Sequence, residues 1–297
     1  MQRPPSPTKC LRYPITTCLA VLAIVATVLA WCGADIDCFR SETGNCLREP
    51  WRLLTPVLFH GGLLHLFFDV CWLWALGTLV EHDFGHGATL GIYALLAIGS
   101  TAGELAIFHG GIGLSGIVYG LFGLLWVLSR TDPRFRDAVD HKVIELMTGW
   151  YILCIVLTIA EVWSIALVAH AVGCVLGALL GWAISAPSLG PRLWRSTILA
   201  AAIFLCIAGG TVARSYVNLV DDAGPALADE GQAALAAGDF ERAIDRYRRA
   251  LDANPKLQVH GWWIKLGLAY QQAGRMDDAR KAFDHAKQLR NSPSKSD

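Results

Sequence analysis

The chain has 297 residues, 54% of them hydrophobic, and its 25 basic and 25 acidic residues balance to zero formal charge. Mean hydropathy is +0.42, and the polar residues crowd into the last quarter. A balanced charge gives no footprint for nucleic acid, and the asymmetry argues for a multi-span membrane domain followed by a soluble one.

The first apolar run, Ile15 to Ala30, follows Arg3, Lys9 and Arg12 but is not followed by a clean small-residue cleavage site, so it reads as an uncleaved first span. A bilayer core of about 30 Å needs roughly 20 apolar residues per helix. On that measure seven spans are predicted, at 14–32, 62–80, 88–108, 114–129, 148–163, 164–184 and 195–213. The fifth and sixth abut, with Glu161, Val162, Trp163 and Ser164 to turn on. Lys and Arg collect in short cytoplasmic loops. The basic N-terminus, "SRTDPRFRDAVDHK" between spans four and five, and "SLGPRLWR" between spans six and seven therefore belong inside. The 33–60 loop, the "HGGIG" loop and everything after span seven then face outward. Most of the 9 cysteines lie in spans, where a thiol acts as a small apolar group, but Cys38 and Cys46 share the long outward loop, where an oxidising compartment would let them pair.

Polar residues inside a span are costly and are functional candidates by default. Span two opens with "HGGLLHLFFDV", giving His60, His65 and Asp69. Span four opens with "GLSG", from Gly113 through Ser115 to Gly116, and span six carries "AHAVGCVLGALLG" with His170. Spans two, four and six all run from outside to inside, so His65, Ser115 and His170 fall at similar depth near the outer end. Taken singly, a serine among glycines is a close-packing site and a lone histidine an interhelical hydrogen-bond partner. Together, a hydroxyl and an imidazole on helices that glycines allow to approach supply a nucleophile and its base. The histidines suggest a metal less readily: five residues apart, His60 and His65 would point about 140° apart on a helix, unlike the pair of H-E-x-x-H. Neither metal nor cofactor is expected.

These residues resemble the rhomboid family of intramembrane serine proteases over roughly 14–213. The ordered set is "WR" (Trp51, Arg52) in the first outward loop, "HGGLLH", "GLSG" with Tyr119, and "AHAVGCVLG". The resemblance implies an all-α membrane bundle, a six-helix core plus a seventh span, with a serine–histidine dyad. It casts Ser115 as nucleophile, His170 as general base and Tyr119 as a packing partner of the imidazole. His65 and the Ser115 backbone N–H would hold the oxyanion, His60 would shape the pocket, and Trp51 and Arg52 would order the loop. The family usually has asparagine where this chain has Asp69. An ionised carboxylate would repel an oxyanion, whereas the neutral acid, which an apolar setting favours, would donate to it. Otherwise Asp69 points elsewhere, and His65 with the backbone suffices.

Beyond the last span, "GQAALAAGDFERAIDRYRRALDANP" and "GLAYQQAGRMDDARKAFDHAKQL" align at an offset of 36, pairing Gly231 with Gly267, Gly238 with Gly274, Ala243 with Ala279, Tyr247 with Phe283 and Ala250 with Ala286. This resembles the tetratricopeptide repeat with an insertion near Gln258 to Gly261, a small soluble helical module suited to binding a protein partner. Two repeats are few for stable stacking, so a cap, a dimer partner or the membrane domain itself is expected to support them. The organisation expected is a cytoplasmic segment 1–13, a membrane domain 14–213, a linker 214–226, repeats 227–290 and a disordered tail 291–297.

Two functions stay open. One is a protease of a bacterial inner membrane that cleaves transmembrane protein substrates within the lipid bilayer near the outer leaflet. The other is a catalytically inactive adaptor that binds transmembrane segments and partner proteins. A transporter is disfavoured, since no inverted repeat is visible.

Overall fold

The computed structural model describes residues 5–41, 46–160, 162–163, 165–218, 223–253 and 260–291. Glu161 and Ser164 lie outside the described residues, as do residues 219–222 of the expected linker, half of the expected insertion and most of the expected tail. All regular structure among the described residues is helical.

The membrane domain comprises α1 (Pro14–Trp31), α2 (Leu63–Ile107), α3 (Ser115–Thr131), α4 (His141–Ile159), α5 (Leu167–Ile184) and α6 (Leu189–Gly210). Five of these are long and apolar enough to cross a membrane, and α3 is a shorter apolar helix. The 45-residue α2 supplies two of the expected spans, because Gly85 interrupts it with φ 77°. That backbone is open to glycine at little cost. The arms fold back on each other: the Tyr93 hydroxyl lies against the Gly77 backbone, whereas 16 residues of straight helix would separate them by about 24 Å.

Two helices begin earlier than hydropathy alone indicates. Helix α4 starts at His141 rather than 148, because the Asp140 side chain caps it by accepting from the Val143 N–H at 3.0 Å. Helix α6 starts at Leu189 rather than 195, with Pro191 in its first turn, where a missing N–H is harmless. Apolar runs mark the membrane-embedded part of a helix, and these two extend into the basic loops.

Helix α3 is central. Twelve of its 17 residues are buried, and Leu121, Leu124, Leu125 and Leu128 are fully enclosed, so most of its surface faces other helices and it needs no polar stripe. Along α5 it packs backbone to backbone: a Cβ at Gly173 would meet Gly116 O, and one at Gly177 would meet Gly120 O. Outer helices show the reverse pattern, with Leu146, Ile152 and Val156 of α4 and Phe204 and Leu205 of α6 exposed to the surroundings.

Glu81, an acidic residue at the end of a long apolar run, is buried at 2% exposure. Its carboxylate accepts from the Ile15 N–H (2.9 Å), the Thr16 N–H (2.8 Å) and the Thr16 hydroxyl (2.7 Å), so it caps α1 from across the bundle. Removing it strands those donors at about 1–3 kcal/mol each where water does not replace it. Glu81→Leu is therefore expected to lose about 3 kcal/mol of stability in a denaturant titration, and Glu81→Gln, which keeps an acceptor, roughly half of that.

No disulfide joins Cys38 and Cys46. Both are thiols; Cys38 is exposed, while Cys46 is drawn into a small apolar cluster with Leu53, Ala102 and Leu105, its Sγ facing Ser41 O at 3.7 Å.

The soluble module consists of α8 (Ala223–Ala236), α9 (Phe240–Ala253), α10 (His260–Gln272) and α11 (Met276–Asn291), joined to α6 through the single turn α7 (Arg214–Val217). The offset of 36 is structural as well as sequential. Gly238 (φ 75°) and Gly274 (φ 76°) end equivalent helices, with Asp239 N–H bonded to Ala234 O and Arg275 N–H to Tyr270 O in the same pattern. Gly231 sits on the Tyr247 ring as Gly267 does on that of Phe283. The module also touches the loop between α1 and α2, where the Gly261 N–H donates to Asp37 Oδ2 at 3.1 Å.

Burial pushes the Asp37 carboxyl above its ordinary range, and Asp35 adds to this, while Arg40, the Gly261 amide and His260 pull it back in part. A carboxyl raised in the docked state contributes fully below the ordinary range and loses that contribution as pH rises through the raised value. Amide exchange at Gly261 should therefore show protection falling over that interval, and Asp37→Asn should flatten the dependence.

Candidate active site

Ser115 is the first residue of α3 and is 8% exposed. The turn before it is pinned twice: Gly113 N–H donates to Pro56 O at 3.3 Å and Leu114 N–H to His60 Nε2 at 3.3 Å. Gly113 has φ 114°, and a Cβ there would fall 2.6 Å from His65 Nε2, so only glycine fits this approach. Gly116 likewise faces Ser100 Oγ too closely for a side chain.

His170 lies in the first turn of α5 and is 3% exposed. Its ring stacks on Tyr119, with centroids 4.7 Å apart and planes at 18°, and Tyr151 stands beside it at 6.2 Å. Tyr119 is itself fixed by donating to Met147 O at 3.0 Å. Nδ1 of His170 is buried without a hydrogen bond. The ring is thus oriented by stacking rather than by a third polar group. Ser115 and His170 occupy neighbouring turns of the α3–α5 seam, since Gly116 faces Ala169 O and Gly173 faces Gly116 O. They make no hydrogen bond to each other in this resting arrangement; such contacts commonly tighten only when substrate is bound.

One buried ionisable group escaped the sequence reading. Glu104, 3% exposed, accepts from the Ala169 N–H at 2.8 Å. It caps the N-terminus of α5 one residue before His170 and lines the pocket beside Ser115 together with Ser100, Thr101 and Ala166. A carboxyl inside the third span, in "STAGELAIF", was the available signal.

The histidine arrangement corrects the geometric argument made from spacing. Helix α2 begins at Leu63, so His60 precedes it and is not held at a helical angle. It folds back to within 4.9 Å of the His65 ring, centroid to centroid, and His60, His65 and Asp69 converge. Asp69 Oδ2 lies 3.3 Å from His60 Nε2 and 3.4 Å from His65 Nε2. His60 Nδ1 is 3.1 Å from Thr27 Oγ1, whose hydroxyl donates to Leu58 O at 3.1 Å. Thr27 thereby accepts from Nδ1–H, and Nε2 is left as the acceptor that Leu114 uses.

The expected loop residues are also engaged. Trp51 Nε1 donates to Cys38 O at 3.0 Å. Arg52, buried, donates from Nη1 to Asp37 O and Arg40 O and from Nε to Glu49, which ties the 37–40 stretch to the 49–53 turn.

Fold and site define a multi-pass helical membrane protein with a soluble repeat module. The family model for the Rhomboid domain matches residues 47–187, and the model for the Tetratricopeptide repeat matches 228–295. The chain thus carries a rhomboid domain followed by a tetratricopeptide repeat region. Among curated proteins it is similar to the Rhomboid protease GlpG of Salmonella newport (strain SL254) and that of Salmonella heidelberg (strain SL476), 31% identical to each over 111 residues. That alignment spans 35% of this chain and 40% of each relative.

Proposed function

We propose that this protein is an intramembrane serine endopeptidase that cleaves transmembrane segments of other membrane proteins near the outer leaflet. The observation that supports it most is the placement of Ser115, at the head of a largely buried helix, beside a buried imidazole on the adjoining α5 turn. Ser115 Oγ attacks the scissile carbonyl as His170 takes its proton; His170 returns the proton to the leaving amine, and water then releases the acyl group from the serine. The Ser115 N–H and His65 would donate to the oxyanion as it develops. His170 lacks a carboxylate partner, so it works as half of a dyad. The N-terminus is cytoplasmic and the repeats lie outside the cell membrane of a bacterium, where they bind a partner protein or present substrates.

The second reading, an inactive adaptor, is favoured by Asp69, a carboxylate standing where an oxyanion must be accommodated. One experiment separates the two. The full chain, reconstituted with a labelled single-span substrate, is treated with a serine-directed fluorophosphonate and scored for both cleavage and labelling, with Ser115→Ala alongside. Cleavage and labelling that both vanish in the variant support the protease. If wild type and variant behave alike across several substrates, the adaptor reading stands.

A further inference from the structure

We infer that His60, His65 and Asp69 form a zinc site. They are the group of potential metal ligands that assembles among the described residues, with their donor atoms all within 4.8 Å of one another. The two separations from the carboxylate match the ion. Zinc bound tetrahedrally by nitrogen and oxygen at about 2.0–2.1 Å sets its ligand atoms about 3.3 Å apart, and Asp69 Oδ2 stands 3.3 and 3.4 Å from the two imidazole Nε2 atoms. Two neutral imidazoles and one carboxylate are a zinc donor set that leaves a fourth position open.

Three further observations point to a ligand. Asp69 is 7% exposed, and its Oδ2 is buried without a hydrogen bond, so an acceptor of high demand is aimed into the cluster and met only by ring nitrogens at ion-pair distance. His60 already has the outer partner that metal-binding histidines use: Nδ1–H is held by Thr27 Oγ1, and Thr27 by Leu58 O, which fixes the tautomer that keeps Nε2 as the donor to a metal. Finally, the space beside His65 Nε2 and Asp69 Oδ2 is kept open by Gly113, where a Cβ would come within 2.6 and 3.2 Å of those atoms.

Binding has a structural consequence. Zinc would take the His60 lone pair that now accepts from Leu114 N–H, the residue just ahead of Ser115, and it would occupy the His65 nitrogen. If the protease reading holds, the ion and the oxyanion compete for one imidazole, and zinc inhibits reversibly. The site itself does not depend on that reading, so its test uses no turnover.

The full chain in detergent micelles, stripped with a chelator, is titrated with zinc alone by calorimetry and with cobalt(II) by visible absorption. One equivalent of zinc and the intense bands of four-coordinate cobalt are expected. Asp69→Asn and Thr27→Val should each weaken zinc at least tenfold, with helical circular dichroism unchanged to show that both variants fold. Absence of stoichiometric binding to the wild type, or equal affinity in wild type and both variants, overturns the site.

Discussion

Ser115→Ala and His170→Ala are each expected to slow cleavage of a reconstituted single-span substrate by about 10⁴-fold or more, and the double variant is expected to be no slower than either single one. The reason lies in the way the two groups act. Without its hydroxyl the α3 terminus has no nucleophile; without the imidazole the hydroxyl loses the base on the adjoining helix, and Glu104, the other ionisable group lining the pocket, is engaged by the Ala169 N–H. Each loss removes the same step, so their free energies do not add. The Tyr119 stack makes a graded prediction within this one. Tyr119→Phe keeps the ring face on His170 and loses only the hydrogen bond to Met147 O, so it should retain most activity. Tyr119→Ala removes the closer of the two rings that orient an imidazole whose Nδ1 has no hydrogen bond, and it should fall towards the His170→Ala level. Initial rates over a substrate series, with expression and folding matched, decide between these outcomes. Parallel losses that multiplied in the double variant would mean that the serine and the histidine serve separate steps.

Much of this architecture was legible because each layer leaves a separate trace in sequence. Apolar runs marked the helices that are long and apolar enough to cross a membrane, including α2, whose two arms Gly85 separates. A period of 36 gave the repeats down to the glycines that end equivalent helices. What sequence did not yield was direction. His60 and His65 are five residues apart, and a helical wheel sends them to different faces; the helix starts three residues after His60, so the wheel does not apply. Glu81 and Glu104 sit near span ends, where hydropathy sees only a charge. Their meaning comes from the amides of Ile15, Thr16 and Ala169, brought to them from segments 65 or 66 residues distant. Capping of one helix by a side chain of another is a tertiary contact, and local pattern has no means of registering it.

Gly177→Ala is expected to be the most damaging single methyl in the membrane domain. Its added carbon would lie 1.8 Å from Gly120 O and 2.6 Å from Gly120 C. Both are backbone atoms, so no rotamer change relieves the clash and α3 and α5 must separate. Inserting a methyl into a packed interior costs about 1–3 kcal/mol where side chains can shift, and at a backbone contact the upper figure, about 3 kcal/mol, applies. Gly149 supplies the control: it lies within α4 with open space around its Cα, so alanine there should be neutral or stabilising by up to about 1 kcal/mol through helix propensity. Because tight glycine contacts hold membrane helices together in the absence of a hydrophobic drive between them, the loss at Gly177 should appear as a lower unfolding midpoint in mixed micelles. It should also appear in the chemistry. Gly120 is five residues beyond Ser115 and Gly177 seven beyond His170, so a seam opened by 1 Å carries serine and histidine apart, and misplacement of that size costs about 10²-fold in rate. A Gly177→Ala protein as stable and as active as the Gly149→Ala control would mean that α3 and α5 do not meet along this glycine face.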